Sequence, residues 1–403
     1  MHRLPGQQKL QTAEYFWLML LALYAVSVFN LGGYILVLML ALYLVLHIRS
    51  IRFSLLSLSL VLFSFFYFCF YIMYFSPGIT EVFNYLIAPW AAFLFGEIFT
   101  RRSQSRRGHY YVIGVLALGF FFHGFLNLVA YLGQTATSGT RIAYDFWRRE
   151  WISVTANGLY YSMALGLACG VLFSGFRKGT KLLGLAVIAA AGVNATLLGH
   201  RTSLYIIVLL VMYNVVGTLV RADMPVRNKA RFMVGGFCVL SLTAIVYAAN
   251  LAEIRTWIES SSLFQRMTNA SAVHSTDRTV IWSSFFKQAI FYPFGGAAFQ
   301  LTGGQSWVHN LWLDVYYKVG VFPFVFLVVS TVIMARQFLA LRRLCRRNGN
   351  EKFMVAMTNL YLALLLSFAV EPVIDANPYV MISFFMIAGC GSGVLKMRQE
   401  DVR

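Results

Sequence analysis

The sequence predicts an all-α, polytopic membrane helix bundle, and two features of its composition carry the prediction. Hydrophobic residues make up 59% of the 403 residues and charged residues only 12%, whereas soluble domains average roughly 45–50% and 25%. The excess apolar residues are concentrated in runs such as Phe53–Phe75 and Tyr110–Leu132. A run of about 20 residues matches the hydrocarbon thickness of a bilayer, so each such run is predicted to cross the membrane as a helix.

Hydropathy predicts about twelve spans that form one bundle over residues 1–403. The first span is preceded by Arg3 and Lys9 and is not followed by a small-residue cleavage site, so we expect a retained signal anchor. No Pro-rich or Ser-rich linker divides the chain. The predicted spans lie near residues 13–30, 31–48, 53–75, 81–99, 110–132, 156–176, 182–199, 202–220, 231–250, 308–335, 353–371 and 378–395.

The net charge of +18 is explained by topology. With the N-terminus inside, the cytoplasmic segments hold 24 of the 33 Lys and Arg residues but only six of the 15 Asp and Glu residues. The inner side therefore carries the whole positive surplus, as the positive-inside rule predicts. This distribution argues against a nucleic-acid partner. The five cysteines show neither a metal-binding nor a disulfide spacing.

The loop between the ninth and tenth spans, residues 251–307, is much longer than the others. Long loops in compact bundles are more often functional than not. Within it, Ser275–Phe291 mixes apolar and polar residues as an amphipathic helix does, and Asp277 suits its N-terminus. Pro293 and the glycines after it end this helix. We expect the loop to be helical, to fold over the outer face and to form part of the active site.

Basic residues on the outer side need an explanation, because the positive-inside bias disfavours them. Arg201 lies in a tight turn, Gly199–Ser203, between two apolar helices. A guanidinium at that depth requires an acidic partner or an anionic ligand. An ion pair with Glu371, Asp375 or Glu81 and an anionic ligand both fit. The nine outward basic residues are Arg141, Arg148, Arg149, Arg201, Arg255, Arg266, Arg278, Lys287 and Lys318.

Three of the outward-facing residues suit one reaction. Arg201 and Arg278 could bind a pyrophosphate, because guanidinium forks bind phosphate oxygens bidentately. His309 could take a proton from a hydroxyl. For Arg278 a solvated helix charge fits the spacing equally well, and for His309 the spacing alone favours a structural role. No outward DxD pair or metal-ligand spacing occurs, so we expect transfer from a phosphate-linked lipid without metal or cofactor.

The arrangement resembles the O-antigen ligase family. The resemblance is carried by a Gly-x-Arg-Thr turn at Gly199–Thr202, an Arg-x-x-x-Trp helix at Arg278, the Pro293–Gly296 turn and the His309–Gly320 segment. It implies a GT-C-type fold in the bacterial inner membrane, with the active site facing the periplasm. It also implies a glycan donor on undecaprenyl pyrophosphate, a lipid A–core acceptor, Arg201 and Arg278 as pyrophosphate ligands and His309 as the catalytic base, with inversion at the anomeric carbon.

Further candidate contacts to the acceptor or its phosphates are Arg141, Arg148, Arg149, Arg266 and Lys287. For Arg141, Arg148 and Arg149, contact with membrane lipid headgroups fits as well.

Two other functions stay open. A polymerase would use the same donor with a second lipid-linked glycan as acceptor. A transporter of lipid-linked sugars is disfavoured, because no internal repeat with matching broken helices is evident.

Overall fold

The computed structural model describes residues 10–103, 108–134, 142–220, 225–268, 278–296, 298–301, 304, 306–347 and 349–400. Of the described residues, 82% are helical. Within the described ranges, seven helices are long and apolar enough to cross a membrane, or eight if a pair bent by 56° counts as one span. The predicted all-α, multi-pass class is confirmed at this level. The number twelve stays a prediction, since two of the predicted spans are helices of only 15 residues.

The described helices follow the predicted apolar runs closely, and two predicted spans are broken. The helices are α1 Thr12–Val26, α2 Gly32–Leu46, α3 Leu55–Tyr74, α4 Ile79–Leu86, α5 Ala88–Arg102, α6 Gly108–Leu132, α7 Val154–Leu172, α8 Lys178–Leu198, α9 Arg201–Val220, α10 Val226–Ala248, α11 Ile254–Ser260, α12 Ser262–Thr268, α13 Arg278–Ala289, α14 Leu311–Val319, α15 Val321–Arg347, α16 Glu351–Val370, α17 Val373–Ala376 and α18 Pro378–Glu400. The breaks separate α4 from α5 and α14 from α15.

A small β-hairpin between α6 and α7 is the one departure from the predicted all-α class among the described elements. Strands β1, Ile142–Asp145, and β2, Glu150–Ser153, pair antiparallel. The Asp145 carboxylate closes the turn by accepting hydrogen bonds from the backbone N–H groups of Trp147 (3.0 Å) and Arg148 (2.8 Å). Asp and Asn commonly stabilise turns in this way. We call the side of the bundle that carries this hairpin the hairpin side.

Close backbone contacts hold the centre of the bundle together. A Cβ atom added to Gly96 of α5 would lie 2.1 Å from the Met386 carbonyl oxygen of α18, and one added to Gly389 would lie 2.0 Å from that of Phe93. Small residues at such crossings allow helices to approach closely. Glu97, fully buried beside this contact, accepts a hydrogen bond from Ser392 (2.8 Å) and pairs with Lys396 (2.6 Å).

Helices end at different depths on the hairpin side. Gly119 of α6 packs against Ala25, next to the last residue of α1. Beyond Gly119, α6 continues for 13 residues to Leu132, which is about 20 Å. The start of α18 lies at the depth of α1, because the Tyr24 hydroxyl donates to the Tyr379 carbonyl oxygen (3.0 Å). The ends of α1 and α18 are therefore recessed relative to the hairpin-side end of α6.

Candidate functional site

The predicted turn at Gly199–Ser203 is confirmed and is fixed by a buried histidine. Gly199 ends α8 with φ +68°, and α9 begins at Arg201. The ring of His200 is buried and its Nδ1 lies 2.8 Å from the Ser203 hydroxyl. The ring also occupies the space above Gly158 of α7, where a Cβ would lie 2.1 Å from it. These contacts fix the backbone of the turn, and therefore the position of Arg201 at the beginning of α9.

Glu371, which follows the last residue of α16, binds this turn through residues other than Arg201. Its carboxylate accepts hydrogen bonds from the Thr202 hydroxyl and from the Thr155 hydroxyl (3.3 Å). The Nε2 atom of His200 lies 3.7 Å from the same carboxylate. Sequence reasoning missed His200 and Thr155. The sequence does single out His200, since a histidine between two apolar helices is unusual. It does not identify the partner of His200, because Glu371 is 171 positions away in the chain.

Arg201 has no ion pair among the described residues, so the predicted alternative of an acidic partner is wrong for each acid considered. Glu371 is occupied as described above. Asp375 pairs with Lys318 of α14. Glu81 accepts from the Gly78 N–H (2.9 Å) at the start of α4. Arg201 is half-buried, and a guanidinium in such a position calls for an anion or an acceptor from outside the described protein groups.

His309 lies in a turn that its neighbours hold rigidly. Its φ is +60°, a region in which residues other than glycine are uncommon. The buried carboxylate of Asp314 accepts hydrogen bonds from the backbone N–H groups on either side, those of Val308 (2.5 Å) and Asn310 (3.2 Å). The side chain of Asn310 caps α14 by accepting from the Leu313 N–H (3.2 Å). The imidazole is therefore presented by a turn that the neighbouring residues stabilise.

Burial raises the pKa of Asp314 to about 7, although the hydrogen bond from the Val308 N–H opposes this rise. Asp314 lies in α14, ahead of the membrane-spanning helix α15. Removing a carboxylate from water disfavours its charged form. Its two backbone donors nevertheless satisfy both carboxylate oxygens. Asp314 thus holds the His309 turn from within the protein.

The predicted loop helix is confirmed as α13 and is attached to the His309 turn. Trp282 Nε1 donates to the Val308 carbonyl oxygen (3.0 Å). The Tyr316 hydroxyl of α14 donates to the Ala289 carbonyl oxygen at the other end of α13 (2.7 Å). Arg278 begins this helix one turn before Trp282, is half-buried, and has no ion pair among the described residues. The loop helix therefore sets Arg278 beside the His309 turn.

The two turns meet at one end of α16. Asn310 Nδ2 donates to the Ala369 carbonyl oxygen (3.1 Å), and Glu371, two residues further on, binds the turn that contains Arg201. The Arg201 turn and the His309 turn, 108 positions apart in the chain, thus contact residues that are only two positions apart, Glu371 and Ala369. Since α13 is attached to the His309 turn, Arg201, Arg278 and His309 all flank this helix end.

The Pro293–Gly296 turn packs against the break between α14 and α15. The Val321 N–H donates to the Pro293 carbonyl oxygen (2.8 Å), and the Gly296 N–H donates to that of Tyr317 (3.1 Å). Gly320 has φ +84°, and a Cβ there would lie 2.5 Å from the Pro293 carbonyl oxygen. These two glycine-containing segments are therefore parts of one backbone contact, which fixes the long loop to α14.

We expect Gly320→Ala to lower the melting temperature of the purified protein markedly. Gly320 has ψ −170° together with φ +84°, a backbone conformation that is essentially restricted to glycine and costs other residues about 1–3 kcal/mol, and the clash with Pro293 adds to this cost. Gly349→Ala is the matched control, since Gly349 also has a positive φ (+66°) but a Cβ added there would meet no atom within 4 Å. Equal decreases in melting temperature for the two variants would contradict the proposed contact.

The remaining candidate contacts are not all near this helix end. Lys287 is exposed near the opposite end of α13 from Arg278, nine residues or about 13 Å away along the helix. Arg148 and Arg149 are exposed on the turn of the β-hairpin. Arg141, Asp277 and the side chain of Arg266 lie outside the described residues. Arg201, Arg278 and His309 thus lie in segments that flank one end of α16, and Lys287 lies toward the other end of α13.

The hairpin carries a buried polar group that sequence reasoning missed. Asp145 lies 3.4 Å from His123 Nε2 of α6. Burial raises the pKa of Asp145, but the hydrogen bonds from His123 and from the Arg148 N–H outweigh it and lower the pKa below its usual value. The adjacent Asn127 accepts from the Phe146 N–H (2.9 Å). The Arg148–Arg149 turn is therefore held in place by ionised and amide side chains beneath it.

Comparisons with known proteins add no family assignment. The chain matches no protein-family model, and no curated protein matches it significantly. Within the described parts of the chain, no group of three or more His, Cys, Asp or Glu residues could hold a metal ion.

Proposed function

We propose that this protein is an O-antigen ligase of the bacterial inner membrane. In this proposal it has a GT-C-type fold, and its hairpin side faces the periplasm. It transfers a glycan from undecaprenyl pyrophosphate to a hydroxyl of lipid A–core. One observation supports the proposal most strongly: two arginines without ion-pair partners among the described residues and one histidine, from three separate segments, flank the same end of α16.

The proposed reaction uses each of these groups once. Arg201 and Arg278 bind the pyrophosphate of the donor, and their forks match its oxygens. His309 accepts the proton of the acceptor hydroxyl as the hydroxyl oxygen attacks the anomeric carbon. The bond between that carbon and the phosphate oxygen breaks on the opposite face, which inverts the configuration. Undecaprenyl pyrophosphate leaves with its new negative charge beside the two guanidinium groups.

Reconstitution tests this proposal directly. The purified protein is combined with lipid-linked O-antigen and lipid A–core, and the core is followed by its gel mobility. A shift of the core to capped lipopolysaccharide is the expected result. Lengthening of the lipid-linked glycan with a bare core would indicate a polymerase instead, and no change in either would favour a transporter.

We expect transfer to proceed at an unchanged rate in excess EDTA. In the proposed mechanism, arginine side chains alone neutralise the charge on the leaving pyrophosphate, as guanidinium groups can. The measurement is the initial rate of core capping with and without EDTA. A loss of activity that added Mg²⁺ restores would show that a divalent cation takes part.

A further inference from the structure

An apolar groove runs along α1 and α6 on the surface of the bundle. It has a volume of about 570 Å³ and is lined by Ala22, Val26, Gly114, Leu118 and Phe122, among others. From Tyr110 to Phe122 the groove follows α6 for 12 residues, or about 18 Å. A Cβ added to Gly114 would meet no atom within 4 Å, so the floor of the groove is open there. Because α6 is long and apolar enough to cross a membrane, a hydrocarbon chain is the occupant that fits.

The groove opens at the β-hairpin, where two arginines stand. Trp147 Nε1 donates to the carbonyl oxygen of Val26 (2.9 Å), the groove residue at the end of α1. Next to it, Arg148 Nε donates to Asn30 Oδ1 (3.0 Å), which leaves the outer nitrogens of its guanidinium directed away from this bond. Arg149 is exposed, and its guanidinium makes no ion pair with a described residue. Glu150, also exposed, is the acid beside them.

We propose that this groove and the Arg148–Arg149 turn bind the acceptor, a glycolipid with a phosphorylated headgroup, with one of its hydrocarbon chains in the groove. The ligand's identity as acceptor rests on the proposed function. Cationic side chains at the end of an apolar groove complement a molecule that has phosphate at one end and hydrocarbon at the other. Asp145 holds the backbone of the hairpin turn, so the backbone that carries the two arginines is ordered before the ligand binds.

The position of the hairpin favours the acceptor over the donor. Strand β2 leads from Glu150 to Ser153, about 10 Å, and Thr155 just beyond it binds Glu371 beside the Arg201 turn. A headgroup of several sugars can span this distance and reach His309. The donor's pyrophosphate cannot bind at the hairpin and at Arg201 together, since it is directly attached to the reacting sugar.

Two substitutions test the groove and the turn separately. Gly114→Leu fills the open floor, and leucine favours a helix more than glycine does. Gly217→Leu in α9 is the matched control, because a Cβ there also meets no atom within 4 Å and Gly217 does not line the groove. Arg149→Asn removes the charge, and Asn tolerates the φ of +57° found at this position. Arg149→Lys restores a positive charge.

Binding of lipid A that carries both phosphates to the full-length protein in detergent, followed by native mass spectrometry, is the measurement. We expect Gly114→Leu to weaken binding at least about tenfold and Arg149→Asn about fivefold. Arg149→Lys should recover most of the loss, and Gly217→Leu should bind as the wild type does. Dephosphorylated lipid A should bind the wild type and Arg149→Asn equally weakly.

Several results would overturn the inference. Lipid A binding that is unchanged in Gly114→Leu would do so, as would a loss of binding in Gly217→Leu equal to that in Gly114→Leu. Displacement of lipid A by equimolar phosphatidylglycerol would show that the groove is a site for ordinary membrane lipid. The readout needs no glycan transfer, so the two proposals fail separately. Normal binding of lipid A without glycan transfer would refute the proposed ligase function but not the proposed lipid-binding groove. Glycan transfer by Gly114→Leu with an unchanged KM for lipid A–core would refute the proposed groove but not the ligase function.

Discussion

His309→Asn should abolish glycan transfer while leaving the protein folded. The imidazole is the proposed acceptor of the hydroxyl proton, and removal of a general base lowers kcat by about 10²–10⁴. Asparagine has no basic nitrogen, but it tolerates the φ of +60° at this position better than most residues do. The hydrogen bonds from Val308 and Asn310 to Asp314 use backbone N–H groups, so they remain. The check is kcat for core capping together with the amount of protein in the membrane.

His309→Ala is the companion variant that separates chemistry from backbone geometry. Alanine also lacks a basic nitrogen, and in addition it is disfavoured at a positive φ. The His309→Ala variant therefore loses the base and also strains the turn. Both variants should be inactive, and His309→Asn should keep the wild-type melting temperature. If His309→Asn retained ligation at normal expression while His309→Ala lost it, the residue would serve the turn and not the reaction.

Replacement of either arginine should cost nearly as much activity. Arg201→Ala and Arg278→Ala each remove a group that is proposed to bind pyrophosphate in the ground state and on departure. We expect losses of about 10²–10³ in kcat/KM, as for the removal of a charge-stabilising donor in other active sites. Arg201→Lys and Arg278→Lys keep the charge but lose the two-pronged geometry, so recovery should be partial. The measurement is kcat/KM for the lipid-linked donor.

Arg255→Ala provides the control for an outward-facing basic residue. Arg255 is exposed in the same long loop and pairs with Glu259 at 2.9 Å, so it already has a partner. An exposed ion pair of this kind contributes little to stability because water and salt screen it, and its loss should leave donor kinetics unchanged. If Arg255→Ala reduced transfer as much as Arg278→Ala, a diffuse positive field would explain the effect, and a specific pyrophosphate site would not.

Local signals in the sequence predicted the parts of the site but not their connections. Gly199, Pro293 and the glycines after Pro293 marked turns that the structure confirms, because the backbone conformation of a turn depends mainly on its own residues. The loop helix predicted at Ser275–Phe291 is present as Arg278–Ala289. The contact between Asp314 and the His309 turn could in principle have been predicted from the sequence, since Asp314 and His309 are only five residues apart. The burial of Asp314 could not have been predicted, because it depends on distant helices.

The β-hairpin and the short α1–α2 pair were harder to predict. Asp145 stabilises the hairpin turn locally, but Asn127 and His123 of α6 support it from another element. The span predicted at 13–30 ends four residues early, at Val26, where the Val26 carbonyl receives the Trp147 indole N–H. Hydropathy cannot detect that the helix ends at Val26, because the residues that follow, such as Val28, Phe29 and Leu31, are apolar whether or not they continue a helix.

The sequence by itself determined the membrane-protein class, the main apolar helices and the residue types suited to pyrophosphate chemistry. These follow from properties that each segment carries alone: the length of an apolar run, the charge of a loop and the conformational freedom of a glycine. Only the tertiary structure decided that Glu371 binds His200 and Thr202 while Arg201 has no acidic partner among the described residues. A carboxylate pairs with whichever donor the packing brings within reach, and that donor comes from a helix about 170 residues away in the chain.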